Sequence, residues 1–223
     1  GFGSRGVEGK ISCVRHCREQ GVPYLGICLG FQVAVIEYAR DVLRLADANS
    51  TEFKPSCTDP VISELPEQKA IEGLGGTMRL GGQDVEIRPG TLAQFLYERG
   101  GFDPAAGVRE RFRHRYEVDP RYIQRLEDAG LIFSGRHPSQ PIMQILELPA
   151  PTAPGEPGGH PFFIAGQFHP ELTSRPLAPQ PLFMGLVAAA INARRTREGT
   201  AGALDSTVKQ WLRLSAAGVH QGV

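Results

Sequence analysis

The sequence predicts a layered α/β domain, from a helix–strand–helix succession in its first 43 residues and three closely spaced β-rich runs between 131 and 168. An amphipathic helix beside a short, wholly apolar strand has to bury its stripe on a sheet, which is the layered arrangement. VEGKISCVRHCREQ (7–20) reads as the first helix, stopped by Gly21, and VPYLGI (22–27) as a buried strand. In FQVAVIEYARDVL (31–43) apolar residues fall at 31, 35, 38 and 42, with others at 36, 39 and 43, the wide apolar face of a helix packed on a sheet. Residues 54–105 show no clear period, and GGTMRLGGQ (75–83) is their most distinctive piece. RFRHRYEV (111–118) reads as a strand and PRYIQRLEDAG (120–130) as a helix ending on Gly130. LIFSGR (131–136), IMQILEL (142–148) and PFFIAGQF (161–168) then suggest a meander, with the Pro/Gly-rich 149–161 as an exposed loop. PLFMGLVAAAINARR (181–195) is the final helix of a domain expected over 1–195. The tail, 196–223, is expected to be weakly ordered, with a turn or two of helix in VKQWLRL (208–214).

Composition narrows the function classes. Lys plus Arg and Asp plus Glu are both 24, so the chain carries no overall basic field, which argues against nucleic acid or an anionic membrane as main partner. No apolar run approaches the ~20 residues of a membrane helix, and no signal peptide opens the chain. Cys13, Cys17, Cys28 and Cys57 form no CxxC pair, so a reducing, cytoplasmic setting is expected. Cys13 and Cys17 with His16 between them could be half a metal site, but no second ligand pair follows at zinc spacing, and no metal is expected.

Gly26-Ile27-Cys28-Leu29-Gly30 has the form of a nucleophile elbow with cysteine in place of serine. In such a strained strand-to-helix turn, residues two positions away must be small. The helix that follows points free N–H groups at the sulfur, which favours thiolate, and the Leu29 N–H is placed to donate to an oxyanion. The competing reading is a packed cysteine. A nucleophile needs a base, and His169 directly follows the apolar strand FFIAGQF, with Glu171 two residues on to orient it. His16, His137 and His160 read as solvated or loop histidines, and His114, alternating with arginines, could be structural.

GICLG followed far downstream by FHPE resembles the triad-type, class I glutamine amidotransferases. More narrowly GFGSRGVEGKI, YLGICLGFQVAVIEYAR, ANSTEF, GGTMRLG, RFRHRYEV, GLIFSGR and QFHPELTSRP, in this order over roughly 1–190, resemble the glutaminase domain of the CTP synthase family. That resemblance implies an α/β/α fold with a mostly parallel central sheet and a C-terminal antiparallel region. It implies glutamine hydrolysis by Cys28, His169 and Glu171, with glutamine bound by Gly1, Leu29, Gly30, Phe31, Gln32, Glu52 and Arg115. Glu52 would take the α-ammonium and Arg115 the α-carboxylate. An amide of the first glycine loop would join Leu29 in the oxyanion hole. Ammonia would pass to a synthetase domain that makes CTP from UTP with ATP and Mg, GTP acting as allosteric activator near GGTMRLG. The intact enzyme would be a homotetramer, and this domain would need no cofactor of its own.

Against the family pattern the chain lacks the synthetase domain, the strand before the glycine loop and one of that loop's glycines, so an N-terminal truncation is expected. The 149–161 loop is also long and proline-rich. Two alternatives stay open: another triad-type amidotransferase or a γ-glutamyl hydrolase, against which ANSTEF and GGTMRLG speak, and a non-catalytic regulatory or assembly module.

Overall fold

The computed structural model describes residues 4–65, 78–151, 159–200 and 206–212. Helix α1 (Val7–Gln20) closes on Gly21 in the left-handed region (φ 63°), whose amide returns to the Cys17 carbonyl. Strand β1 (Tyr24–Ile27) runs into Cys28, and α2 (Leu29–Asp41) leaves from it. Then come β2 (Ala48–Ser50), β3 (Asp59–Ser63), β4 (Arg79–Ile87), α3 (Leu92–Arg99), β5 (Val108–His114), β6 (Glu117–Val118) and α4 (Pro120–Asp128). Strands β7 (Ile132–Arg136), β8 (Met143–Glu147) and β9 (Phe163–Gly166) precede a 3₁₀ turn at Pro170–Leu172, α5 (Pro181–Arg197) and α6 (Ser206–Gln210).

The main sheet has the order β1-β9-β8-β7-β4-β5, and β2-β3-β6 form a smaller one. The period-2 alternation of β9 decides the layers. Phe163 and Ala165 join one core with α1 and α2, while Ile164 joins a second core with α3 and α5. Helices therefore cover both faces, as expected of the class. The sheet, however, is mixed rather than mostly parallel. Among the described residues its only parallel pair is β1 with β9, the other four pairs being antiparallel. The reason is connection length, because among the described residues no helix stands between β7, β8 and β9, and parallel neighbours need a long crossover.

The expected meander is present, but the middle of the chain is more regular than its sequence suggests. β3, β4 and α3 all lie within 54–105. β4 has no legible period of its own because RLGGQDVEI carries two glycines and few apolar residues, and its pairing with β5 over seven positions supplies what propensity does not. α3 did carry a legible start, since the Thr91 hydroxyl caps it by accepting the Gln94 amide at 3.2 Å. The predicted 111–118 strand is two elements, β5 and β6, broken at Arg115-Tyr116. Within the predicted tail, α6 buries Val208, and Trp211 just beyond it is buried against the second core. Residues 152–158, the heart of the predicted loop, lie outside the described residues.

Candidate active site

Cys28 caps α2 in a backbone conformation rare for any residue with a side chain (φ 53°, ψ −100°). Such a conformation costs about 1–3 kcal/mol and persists only where the surroundings enforce it. Here the last pair of the β1–β9 ladder, Ile27 opposite Gly166, and the Cys28 amide bonded to the Gly166 carbonyl at 2.8 Å provide that enforcement. Gly26 makes the turn possible, because a Cβ on it would lie 2.7 Å from the Ala165 Cβ and 2.8 Å from the Gly30 carbonyl carbon. Gly30 is under no such pressure, its added Cβ meeting only the Tyr24 hydroxyl at 3.5 Å. The steric reading of the elbow therefore holds for Gly26 and not for Gly30.

Because β1 and β9 are parallel neighbours, their C-terminal ends meet, and His169 follows β9 by three residues. The His169 amide is held by the Arg111 carbonyl of β5 at 2.8 Å. Its Nδ1 lies 2.7 Å from Glu171 Oε1. A carboxylate only accepts, so Nδ1 carries the proton and Nε2 presents a lone pair. That Nε2 is buried and has no hydrogen-bond partner. The imidazole is thus set in the tautomer that can take a proton. The Glu171 carboxylate is near enough to act on Cys28, raising its thiol.

The thiol itself departs from expectation. Burial pushes Cys28 up to about 11, with Glu171 and Glu52 acting in the same direction and the Leu29 N–H only partly opposing them. The helix N-terminus does not make a resting thiolate, since desolvation of the charged form outweighs it. The sulfur sits 3.7 Å from Gln167 Nε2 and 3.9 Å from the Arg113 carbonyl.

Beside Cys28 opens a cavity of about 320 Å³, large enough for a free amino acid. Of the residues expected to bind glutamine, Leu29, Gln32, Glu52 and Arg115 line it. Gln32 is itself fixed, its amide nitrogen donating to the Tyr116 carbonyl at 3.0 Å and to Gln167 Oε1 at 3.2 Å. Phe31 does not line the cavity. Its side chain is fully buried in the core of α1 and α2, because α2 turns it away from Cys28 toward the sheet. The Gly30 carbonyl accepts the Tyr24 hydroxyl at 2.8 Å. Gly1 lies outside the described residues, as do residues 2–3 of the glycine loop expected to supply an amide to the oxyanion hole. Met78, Arg113, His114 and Tyr116 also line the cavity, and sequence reasoning had assigned none of them to substrate. Met78 belongs to GGTMRLG, whose 75–77 are outside the described residues, so part of that motif sits at the cavity itself.

Residues 1–189 match the family model of glutamine amidotransferase class-I. The chain belongs to the class I glutamine amidotransferase family. Within this family it is 52% identical over 198 residues to the CTP synthase of Archaeoglobus fulgidus, covering 89% of this chain and 34% of that protein. It is 53% identical over 190 residues to the CTP synthase of Methanopyrus kandleri, covering 85% of this chain and 33% of the relative. The amidotransferase chain thus spans about a third of the length of these relatives. Among solved structures it resembles the glutaminase domain of Trypanosoma brucei CTPS with bound acivicin, at 36% identity and a TM-score of 0.72, over 86% of this chain and 68% of that one. Among the described residues no group of three or more His, Cys, Asp or Glu side chains could hold a metal ion, and no helix is long and apolar enough to cross a membrane.

Proposed function

We propose that the chain hydrolyses the side-chain amide of L-glutamine and is the ammonia-producing part of a CTP synthase. The observation that carries this reading is the junction of β1 and β9. There a strained Cys28 lines an amino-acid-sized cavity, and His169, three residues beyond β9, has Nδ1 on Glu171 and a buried Nε2 with no hydrogen-bond partner, which supports its reading as the base.

A thiol held up at about 11 cannot attack unaided near neutrality. His169 Nε2 takes the thiol proton as the sulfur adds to the amide carbon, and the Leu29 N–H donates to the developing oxyanion. The C–N bond breaks, His169 returns the proton to the departing ammonia, and a glutamyl thioester remains. Water, deprotonated by the same nitrogen, then adds to the thioester and releases glutamate and the thiol. Glu171 stabilises the imidazolium at each transfer. Glu52 and Arg115, of opposite charge and both lining the cavity, suit the ammonium and carboxylate of a free amino acid. By likeness to its relatives the ammonia would feed a synthetase domain that converts UTP to CTP with ATP and Mg, with GTP as activator, in a cytoplasmic homotetramer.

The test is glutamate release from glutamine by the whole protein. Turnover should be abolished in Cys28→Ala and reduced by about 10³-fold or more in His169→Ala. The diazoketone analogue of glutamine, 6-diazo-5-oxo-L-norleucine, should alkylate Cys28, its diazo carbon taking the thiol proton as the C–S bond forms and N₂ leaves. Full activity of Cys28→Ala would end the proposal.

A further inference from the structure

The site contains a second histidine–glutamate pair that the hydrolysis described above does not use. His114, at the end of β5, is 2% exposed and lines the same cavity as Cys28, Glu52 and Arg115. Its Nε2 lies 2.7 Å from Oε1 of the fully buried Glu117. That same oxygen accepts the Arg79 Nε–H at 2.9 Å, and Arg79 is held in turn by Gln83 Oε1 at 2.6 Å and Gln140 Oε1 at 3.2 Å. The oxygen that accepts the Arg79 guanidinium serves as acceptor for the imidazole too, so His114 Nε2 is the donor of their contact. Nδ1 is then a bare acceptor, and like Glu117 Oε2 it is buried with no hydrogen-bond partner, but of the two residues only His114 lines the cavity. Leaving a buried polar atom unmatched is costly, and proteins tolerate it mostly where something else will satisfy it.

We infer that His114 is a substrate-binding residue whose Nδ1 accepts an N–H of the bound amino acid. Glu117 and Arg79 act behind it by holding ring and tautomer. The inference rests on the reading of the cavity as the glutamine site. It gives the RFRHRYEV motif a role at His114 as well as at Arg115, and it links Arg79 of GGTMRLG to substrate recognition through one carboxylate.

The two ring nitrogens can be tested apart in the whole protein. His114→Gln keeps an N–H at the Nε2 position for Glu117 and removes the Nδ1 acceptor. Alkylation of Cys28 by the diazoketone needs amino-acid recognition, whereas alkylation by iodoacetamide needs only access and thiolate. His114→Gln should slow the diazoketone reaction, and raise the KM for glutamine, by about 10- to 100-fold while leaving the iodoacetamide rate within about twofold. Equal diazoketone rates in wild type and His114→Gln would overturn the inference, as would a parallel loss with both reagents. Should His114→Gln not fold, His114→Asn keeps an acceptor near the Nδ1 position, and a diazoketone rate no better than that of His114→Phe would overturn it. A wild-type protein that iodoacetamide alkylates and the diazoketone does not would instead defeat the glutamine-site reading itself.

Discussion

Gly26→Ala isolates the steric demand of the elbow from its chemistry. The added methyl would lie 2.7 Å from the Ala165 Cβ, 2.8 Å from the Gly30 carbonyl carbon and 2.8 Å from the Tyr24 hydroxyl. Ordinary carbon–carbon contacts begin near ~3.5 Å, so β1 must shift by about 1 Å from β9 or the turn must open. Two of the obstacles are a strand neighbour and the backbone of α2, which have no rotamer to change. Overpacking of this kind costs about 1–3 kcal/mol. The same movement carries Cys28 away from the end of β9 and hence from His169. A displacement of about 1 Å in the reacting geometry reduces turnover by about 10²-fold. Urea unfolding and glutamate release, measured together on Gly26→Ala, should show both losses. Gly30→Ala is the steric control, because its Cβ meets only an ordinary contact at 3.5 Å. Replacing a helical glycine by alanine should leave its unfolding midpoint unchanged or raise it. Wild-type stability and turnover in Gly26→Ala would refute the argument, as would a Gly30→Ala protein destabilised as much as Gly26→Ala.

Three further outcomes follow from the titrating and capping groups. With its pKa pushed up to about 11, Cys28 of the free protein should react with iodoacetamide about tenfold faster for each pH unit between 7 and 10, and a rate already flat at pH 7 would show a resting thiolate. Burial holds His160 below its usual range, its Nε2 lying 2.9 Å from the Cys17 carbonyl while Nδ1 accepts the Phe162 amide at 3.1 Å. A lowered histidine pKa means that its contribution is whole above about pH 6.5 and is lost as pH falls below that value, because the unfolded chain takes the proton first. Urea midpoints at pH 7 and 5 should therefore diverge more in wild type than in His160→Gln. The buried Glu147 carboxylate accepts the first amides of α3, Leu92 at 2.7 Å and Ala93 at 3.0 Å, so Glu147→Ala should cost about 2–3 kcal/mol in urea unfolding, and a loss below about 0.5 kcal/mol would show the cap to be dispensable.

Local pattern made some of the protein legible and hid the rest for identifiable reasons. The α1–β1–α2 unit was visible because helical spacing, one apolar tetrad and two turn glycines all agree. The meander was visible because β-rich runs at short spacing leave room for little else. β4 was not, since a strand with two glycines exists only by virtue of the partner that pairs it. Phe31 was grouped with its cavity-lining neighbours in one segment, yet consecutive positions on a helix face different ways. The resting state of Cys28 could not be read either, because desolvation depends on what covers the sulfur.

The residues alone specified the chemistry available: a cysteine between glycines, a His-Pro-Glu after an apolar strand, and charged groups suited to a free amino acid. Their order and spacing were enough to point to the family. Only the tertiary structure decided which of these groups meet. Parallel pairing of β1 with β9, strands some 140 residues apart, brings Cys28 to the strand end that His169 follows. The alternation of β5 turns His114 inward while Arg111 and Arg113 stay exposed. The alternation is written in β5 itself, but the pairing of β1 with β9 is encoded in no short stretch, because register is a property of pairs of segments.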